Sequence, residues 1–528
     1  MFETAELGRT VSRKDFKDAE PQLRQRLLEL QERLRTGRDF RVILLFAGVD
    51  GAGKSEVVGL LNQWMDPRWM STRAYDEPRD SERERPEFWR YWRDLPSRGR
   101  IGMFLSAWYS QPVLDRVYDS IDEATFIKRL DRINAFETAL VQEGALILKF
   151  WMHLSQEAQE ERLKALELDP ATSSLVGKHD WEHLRLYDRF IEAAEQVVAR
   201  TNTGTASWTI VEGADDRYRS LTVTTILRDA LDRSLEIAEA AKLEATKKNS
   251  AKKQAAKRKL NKAEDTSKED LELAPGNSDS IPSSRVTVLH RLDMRQKVDK
   301  ADYSVRLKEL QGQLHQLHLR AREQGVSSIL VFEGPDAAGK GGAIRRITAA
   351  LHPRNYQVHG IAAPTEEEAS QHYLWRFWRH LTSAGRITIF DRSWYGRVLV
   401  ERIEGFASEE QWRRAYAEIN DFETQLTEHG IVLLKYWIHI SEDEQLARFK
   451  LRETTSYKSW KLTAEDWRNR EKWHDYEEAV HDMVQYTSTK VAPWILVEGN
   501  DKRFARLKVL SSYCERFEAA LREKESDG

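Results

Sequence analysis

The chain has 528 residues, 40% of them hydrophobic and 10% aromatic. That is enough apolar material for packed cores and more length than one core usually organises, which excludes a disordered chain and a single small module. Its 83 Lys and Arg against 86 Asp and Glu leave a formal charge of −3, so a broadly basic nucleic-acid binder is excluded and any anion site must be local.

In chain order, the first expected strand, Val42 to Ala47, runs into Gly48-Val-Asp-Gly-Ala-Gly-Lys54-Ser55, a complete Walker A pattern. Apolar, β-branched runs follow at Thr72 to Tyr75, Ile101 to Leu105, Ala145 to His153 and Ser207 to Glu212. They alternate with longer stretches of helical period, as in a parallel sheet flanked by helices. Lys247 to Lys262 then carries eight basic residues and no acidic one, and Pro275 to Ser284 is rich in Pro, Gly, Asn and Ser. The segment reads as a linker, its lysines a solvated helix extension.

The chain then repeats itself. Lys340 lies 286 residues after Lys54, and the same offset carries Gly99-Arg100-Ile101 onto Gly385-Arg386-Ile387 and Trp108-Tyr109 onto Trp394-Tyr395. It also carries Lys149 and His153 onto Lys435 and His439, and Val211-Glu212-Gly213 onto Val497-Glu498-Gly499. The second set of strands is expected at Ser328 to Glu333, Gln357 to Ile361, Ile387 to Asp391, Ile431 to His439 and Trp494 to Glu498. The fold class is therefore α/β: two tandem P-loop kinase-like three-layer α/β/α domains, each with a parallel five-stranded sheet. Expected boundaries are 1–240 and 286–528, with a 241–285 linker.

In the second copy Gly334-Pro-Asp336-Ala-Ala-Gly339-Lys340-Gly341 leaves a strand and enters a helical run, Gly342 to Leu351. Its glycines permit backbone N–H groups to face phosphate, and Lys340 supplies a point charge. Gly341 stands where Ser or Thr normally helps to hold Mg²⁺. Downstream, Asp391-Arg392-Ser-Trp-Tyr-Gly-Arg397 places a carboxylate at the tip of a buried strand, followed by two arginines, where such sheets hold a metal. The first copy has Leu105, Ser106 and Gln111 at those positions. Leucine cannot ligate magnesium, so the intact Walker pattern marks the weaker half, and catalysis is expected from the second copy. Arg345 and Arg346, one turn into the helix, are candidates for lining a phosphate groove.

These residues resemble the polyphosphate kinase 2 family, with its Gly-x-Asp-x-x-Gly-Lys loop, Asp-Arg-Ser-Trp-Tyr segment and basic lid, and the resemblance spans nearly the whole chain. Fused two-domain members resemble the class that makes ADP from AMP with inorganic polyphosphate. The resemblance implies Mg²⁺ on Asp336 and Asp391, and a lid at Tyr457 to Asp466 with Lys458 and Lys461 as phosphate ligands. The first copy has Thr172 and Leu175 in their places. Other acceptor–donor pairs stay open: a nucleoside diphosphate acceptor, an ATP-dependent small-molecule kinase, or a polyphosphate or nucleotide binder without activity.

The aromatic stretch Tyr373 to Arg379 places Leu374, Trp375 and Trp378 along one helical face, which points to packing. His153 and His439 end strands and read as structural, while Glu498 and Asp501 flank a glycine where related kinases touch the base. Cys514 is the single cysteine, and no apolar run is long enough to span a bilayer. The expected setting is cytoplasmic, with no membrane or nucleic-acid partner, and a homodimer stays open.

Overall fold

The computed structural model describes residues 1–170, 172–173, 176–265, 287–454 and 464–527. It divides into two compact units, one of Met1–Glu77 with Asp94–Ile281, the other of Pro78–Arg93 with Pro282–Gly528. Residues 78–93, from the first half of the chain, therefore pack with the second: Trp92 stacks on Trp378 with ring centroids 6.0 Å apart, and Arg85 Nε donates to the Leu381 carbonyl.

The first unit holds strands β1 (Val42–Gly48), β2 (Met70–Ala74), β3 (Ile101–Leu105), β4 (Leu146–His153) and β5 (Trp208–Glu212). They form one parallel sheet in the order β2-β3-β1-β4-β5. In the second unit β6 (Ser328–Glu333), β7 (Tyr356–Gly360), β8 (Ile387–Asp391), β9 (Val432–His439) and β10 (Trp494–Glu498) repeat that order as β7-β8-β6-β9-β10. All pairs are parallel here too. All residues of β6 are buried, because helices cover both faces of such a sheet, and this explains an apolar run without alternation. Leu330, Phe332, Ile389 and Tyr436 form one core with the helices Lys300–Glu323 and Lys502–Asp527.

Several boundaries differ from expectation by one to three residues, among them β2, which spans Met70–Ala74 and not 72–75. The helix after the second loop spans Lys340–Thr348, not 342–351, because Gly339 adopts a left-handed conformation (φ 115°) and caps it, so Lys340 is already in the first turn. Strand β7 starts and ends one residue earlier than expected. The basic 247–262 run continues the helix Asp216–Asp265. Leu374, Trp375 and Trp378 are buried, with Trp378 edge-on to Phe422.

The chain turns from β6 into the loop at Gly334, whose φ is 147° and whose missing Cβ would collide with the Ile438 carbonyl oxygen. Gly48 repeats this against Met152 in the first unit. Gly334→Ala is expected to destabilise the second unit by about 2–4 kcal/mol through clash and positive φ together, read as a lowered Tm in calorimetry.

Candidate active site

The order of each sheet reverses around its central strand, so a crevice opens at the C-terminal ends of β6 and β8. Asp336 and Lys340 come from the loop after β6, and Asp391 and Arg392 from the end of β8. Lys340 Nζ lies back on the loop, donating to the carbonyls of Gly334 (2.6 Å) and Pro335 (3.2 Å). Asp336 accepts from Arg392 Nη2 at 2.8 Å and from Asn469 Nδ2 at 3.0 Å. Burial alone would raise its carboxyl, but Lys340 and Arg392, with Asn469, outweigh it and hold the group below the usual aspartate range. Arg392 has φ 64°, a left-handed conformation costly for a side-chain-bearing residue, which turns the chain abruptly out of β8.

A buried polar anchor fixes that turn. Glu423 accepts from Tyr395 Oη at 2.6 Å and Trp394 Nε1 at 3.0 Å. Lys435 Nζ donates to Glu423 at 2.6 Å, to Tyr395 Oη and to the Thr487 carbonyl. The first unit has the same set in Trp108, Tyr109, Glu137 and Lys149. The Trp-Tyr pair of the sequence segment is thus a strut behind the site, which is why both copies carry it while their flanking acid and arginine differ.

Two hollows meet at Asp336 and Arg392. One is an open trench of about 580 Å³ lined by the loop residues 336–342 and by Arg345, Asp391, Arg392 and Arg452. The other is a smaller, apolar slot of about 100 Å³, walled by Leu399, Val400, Trp437 and Trp473, with Glu333 and His439 at its edge. Burial pushes the His439 imidazole down to about 4, so it is neutral near pH 7 and its role as an acid is disfavoured. Its Nδ1 has no hydrogen-bond partner among the described residues.

Of the sequence candidates, Gly334, Asp336, Gly339, Lys340, Gly341, Arg345, Asp391 and Arg392 line these hollows. Arg397 does not. It pairs with Glu401 at 3.2 Å and lies over the Tyr373 ring. Arg346 is also outside both linings; its Nη1 faces the Gly342 carbonyl. Each of the two has a partner within one helical turn. Lys458 and Lys461 lie outside the described residues. Glu498 pairs with Lys508, and Asp501 caps the last helix, so both are engaged away from the slot.

Three residues escaped the sequence reading. Glu333, buried at the end of β6, accepts from Ser393 Oγ at 2.8 Å. Burial pushes its carboxyl up, against the opposing pull of Ser393 and Lys340. Asn469 steadies Asp336, and Gln445 Nε2 donates to the Asp336 carbonyl. The 286-residue offset would have flagged two of them, since the first copy has Ala47 for Glu333 and His183 for Asn469.

The carboxylates suit a hard divalent ion. Asp391 lines the trench, its carboxylate without a hydrogen-bond or ion-pair partner among the described residues, while its backbone carbonyl accepts from the Ile361 N–H. No group of three His, Cys, Asp or Glu side chains gathers among them. One or two carboxylates completed by phosphate oxygens is the usual Mg²⁺ arrangement, so the residues fit such an ion only together with a phosphate substrate.

A phosphate loop at the sheet's switch point, facing an acid and an arginine from the neighbouring strand, defines a P-loop kinase-like phosphotransferase fold. The chain belongs to the polyphosphate kinase 2 family, whose model matches residues 10–239 and 297–525. It is 48% identical to a polyphosphate:AMP phosphotransferase of Pseudomonas aeruginosa over 99% of this chain and 100% of that protein. It is 45% identical to the protein of that name from Pseudomonas syringae pv. tomato, over 99% of each. A crystal structure titled as a polyphosphate kinase 2 from Pseudomonas aeruginosa PA01 superposes with a TM-score of 0.84 at 46% identity, covering 99% of both chains.

Proposed function

We propose that the C-terminal unit transfers the terminal phosphoryl group of inorganic polyphosphate to AMP, giving ADP and a chain one phosphate shorter. The observation that carries this is the meeting of an apolar slot and a cationic trench at Asp336 and Arg392. A slot walled in part by tryptophans suits a purine, whose flat ring it can bury at little entropic cost. A polymer of phosphates suits the trench. Behind the loop the trench borders a further hollow with Arg452, Lys502 and Arg506, so cationic side chains continue beyond the trench itself. This favours a chain donor over ATP.

An oxygen of the AMP phosphate attacks the terminal phosphorus, and the bridging P–O bond to the next phosphate breaks. The attacking oxygen is already anionic near neutral pH, so no general base is required. The task is to hold two polyanions together. Arg392 stands at the junction, and Lys340 leaves its loop carbonyls to meet phosphate. Asp336 and Asp391 would hold Mg²⁺, which supplies charge neutralisation on the phosphate oxygens. Asn469 and Gln445 keep the Asp336 loop in place. No helix among the described residues is long and apolar enough to cross a membrane, and the proposed setting is the cytoplasm.

With Mg²⁺ present, AMP plus polyphosphate is expected to yield ADP, and AMP plus ATP to yield little. ADP appearing only with ATP would refute the donor assignment. No ADP with either would leave a binding protein.

A further inference from the structure

The N-terminal unit has a hollow at the same place in its own sheet, and we infer that it binds a nucleotide without transferring phosphate. The inference rests on reading the C-terminal slot as the nucleotide site. The N-terminal hollow, about 140 Å³ against 100 Å³, is at least as roomy. It keeps the apolar walls, with Val113, Leu114, Trp151 and Tyr187 in the positions of Leu399, Val400, Trp437 and Trp473. It also keeps a phosphate loop: Lys54 opens the 11-residue helix Lys54–Trp64 and lies folded on the carbonyls of Gly48 and Val49. A bound phosphate would draw it outward, as for Lys340.

Two lining groups suit a polar ligand. Gln159, 2% exposed, and Trp151, 5% exposed, line the hollow, and Gln159 Oε1 and Trp151 Nε1 have no hydrogen-bond partner among the described residues. In the C-terminal unit the equivalent Gln445 is occupied at both ends, by the Asp336 carbonyl and by Arg470. Leu184 replaces Arg470 in the first copy, which leaves the Gln159 oxygen without that donor. Trp437 Nε1 in the C-terminal slot is likewise without a hydrogen-bond partner among the described residues, so the Gln159 oxygen is what sets the N-terminal hollow apart. The edge of a nucleobase offers a donor and an acceptor, which can serve an amide oxygen and an indole N–H that line one hollow.

What this hollow lacks selects against a polyphosphate chain and against transfer. Gly59, Ser106, Leu166 and Ser220 stand where the other copy has Arg345, Arg392, Arg452 and Arg506, and Leu105 replaces Asp391. Asp50 is closed off by His183 Nδ1 at 2.7 Å. One lysine and a helix N-terminus suit an anion of about two charges, such as a nucleoside monophosphate.

Equilibrium dialysis of the full chain against labelled AMP, without polyphosphate, tests this. Two AMP per chain are expected. Lys54→Ala and, separately, Gln159→Leu should each weaken one of the two sites at least about tenfold. Thermal unfolding checks that each variant is folded, and Gln159→Leu carries the test if Lys54→Ala is not. One AMP per chain, with ADP still formed from AMP and polyphosphate, would overturn the inference and leave the proposed function standing. So would a second site that neither substitution weakens, or one that takes polyphosphate in preference to AMP. No bound AMP and no ADP formation would overturn both.

Discussion

Asp391→Asn is expected to lower ADP formation from AMP and polyphosphate on the order of a thousandfold, whereas Lys54→Ala keeps most of it. The contrast follows from where charge must be managed. Asp391 sits at the tip of β8 in the cationic trench, and its amide replacement keeps the shape while removing the negative charge that a divalent ion needs. Losing one preorganised electrostatic partner of a transferring phosphoryl group typically costs a hundred- to a thousandfold, and a mispositioned metal adds to that. Arg392→Ala should act similarly, by removing the guanidinium shared between trench and slot. Lys54 belongs to a unit whose equivalent strand ends in Leu105 and Ser106, with no acid or arginine to complete a transfer site. The measurement is steady-state ADP production at saturating AMP. Equal losses from Asp391→Asn and Lys54→Ala would mean that both units take part in turnover.

The sheets and the differences between the two copies were legible because their signals are local or repeated. Apolar runs such as Ser328 to Glu333 are short, β-branched and bounded by a glycine loop, and a single offset aligned the copies without any structure. Leu105 against Asp391 could be read from that alignment alone. What was not legible depended on side-chain direction or on distant partners. Arg397 follows Asp391 closely in sequence, but its pairing with Glu401 one turn on and its position over the Tyr373 ring could not be read from the segment. The carboxylate of Glu333 is lost in an apolar run unless its copy, Ala47, is compared. Asn469 reaches Asp336 across 133 residues, and no local pattern announces that. The segment 78–93 looks like part of the first copy by every sequence criterion, but it packs with the second unit because its aromatic face finds Trp378 there.

Glu423→Ala is expected to destabilise the C-terminal unit by about 3–5 kcal/mol, several times the effect of an ordinary surface change. Glu423 and Lys435 are 1% and 0% exposed, and every polar neighbour of the pair is spoken for. Removing the carboxylate leaves the Lys435 ammonium buried with only Tyr395 Oη and the Thr487 carbonyl. Burial already pulls the Lys435 ammonium down, with Glu423 opposing that pull, so without the partner the lysine loses its proton or draws in water. Trp394 and Tyr395 lose their acceptor as well, and the strut behind Arg392 loosens. Differential scanning calorimetry should read this as a fall in Tm of roughly 10 °C, at about 2–4 °C per kcal/mol for a unit of this size. Replacing both partners, as Glu423→Leu with Lys435→Met, removes the stranded charge and should recover much of the loss. Activity separates packing from positioning. If the double variant regains Tm but not ADP formation, the Glu423–Lys435 pair is what aims Arg392 at the phosphate, whereas recovery of both would reduce the pair to a means of filling the core.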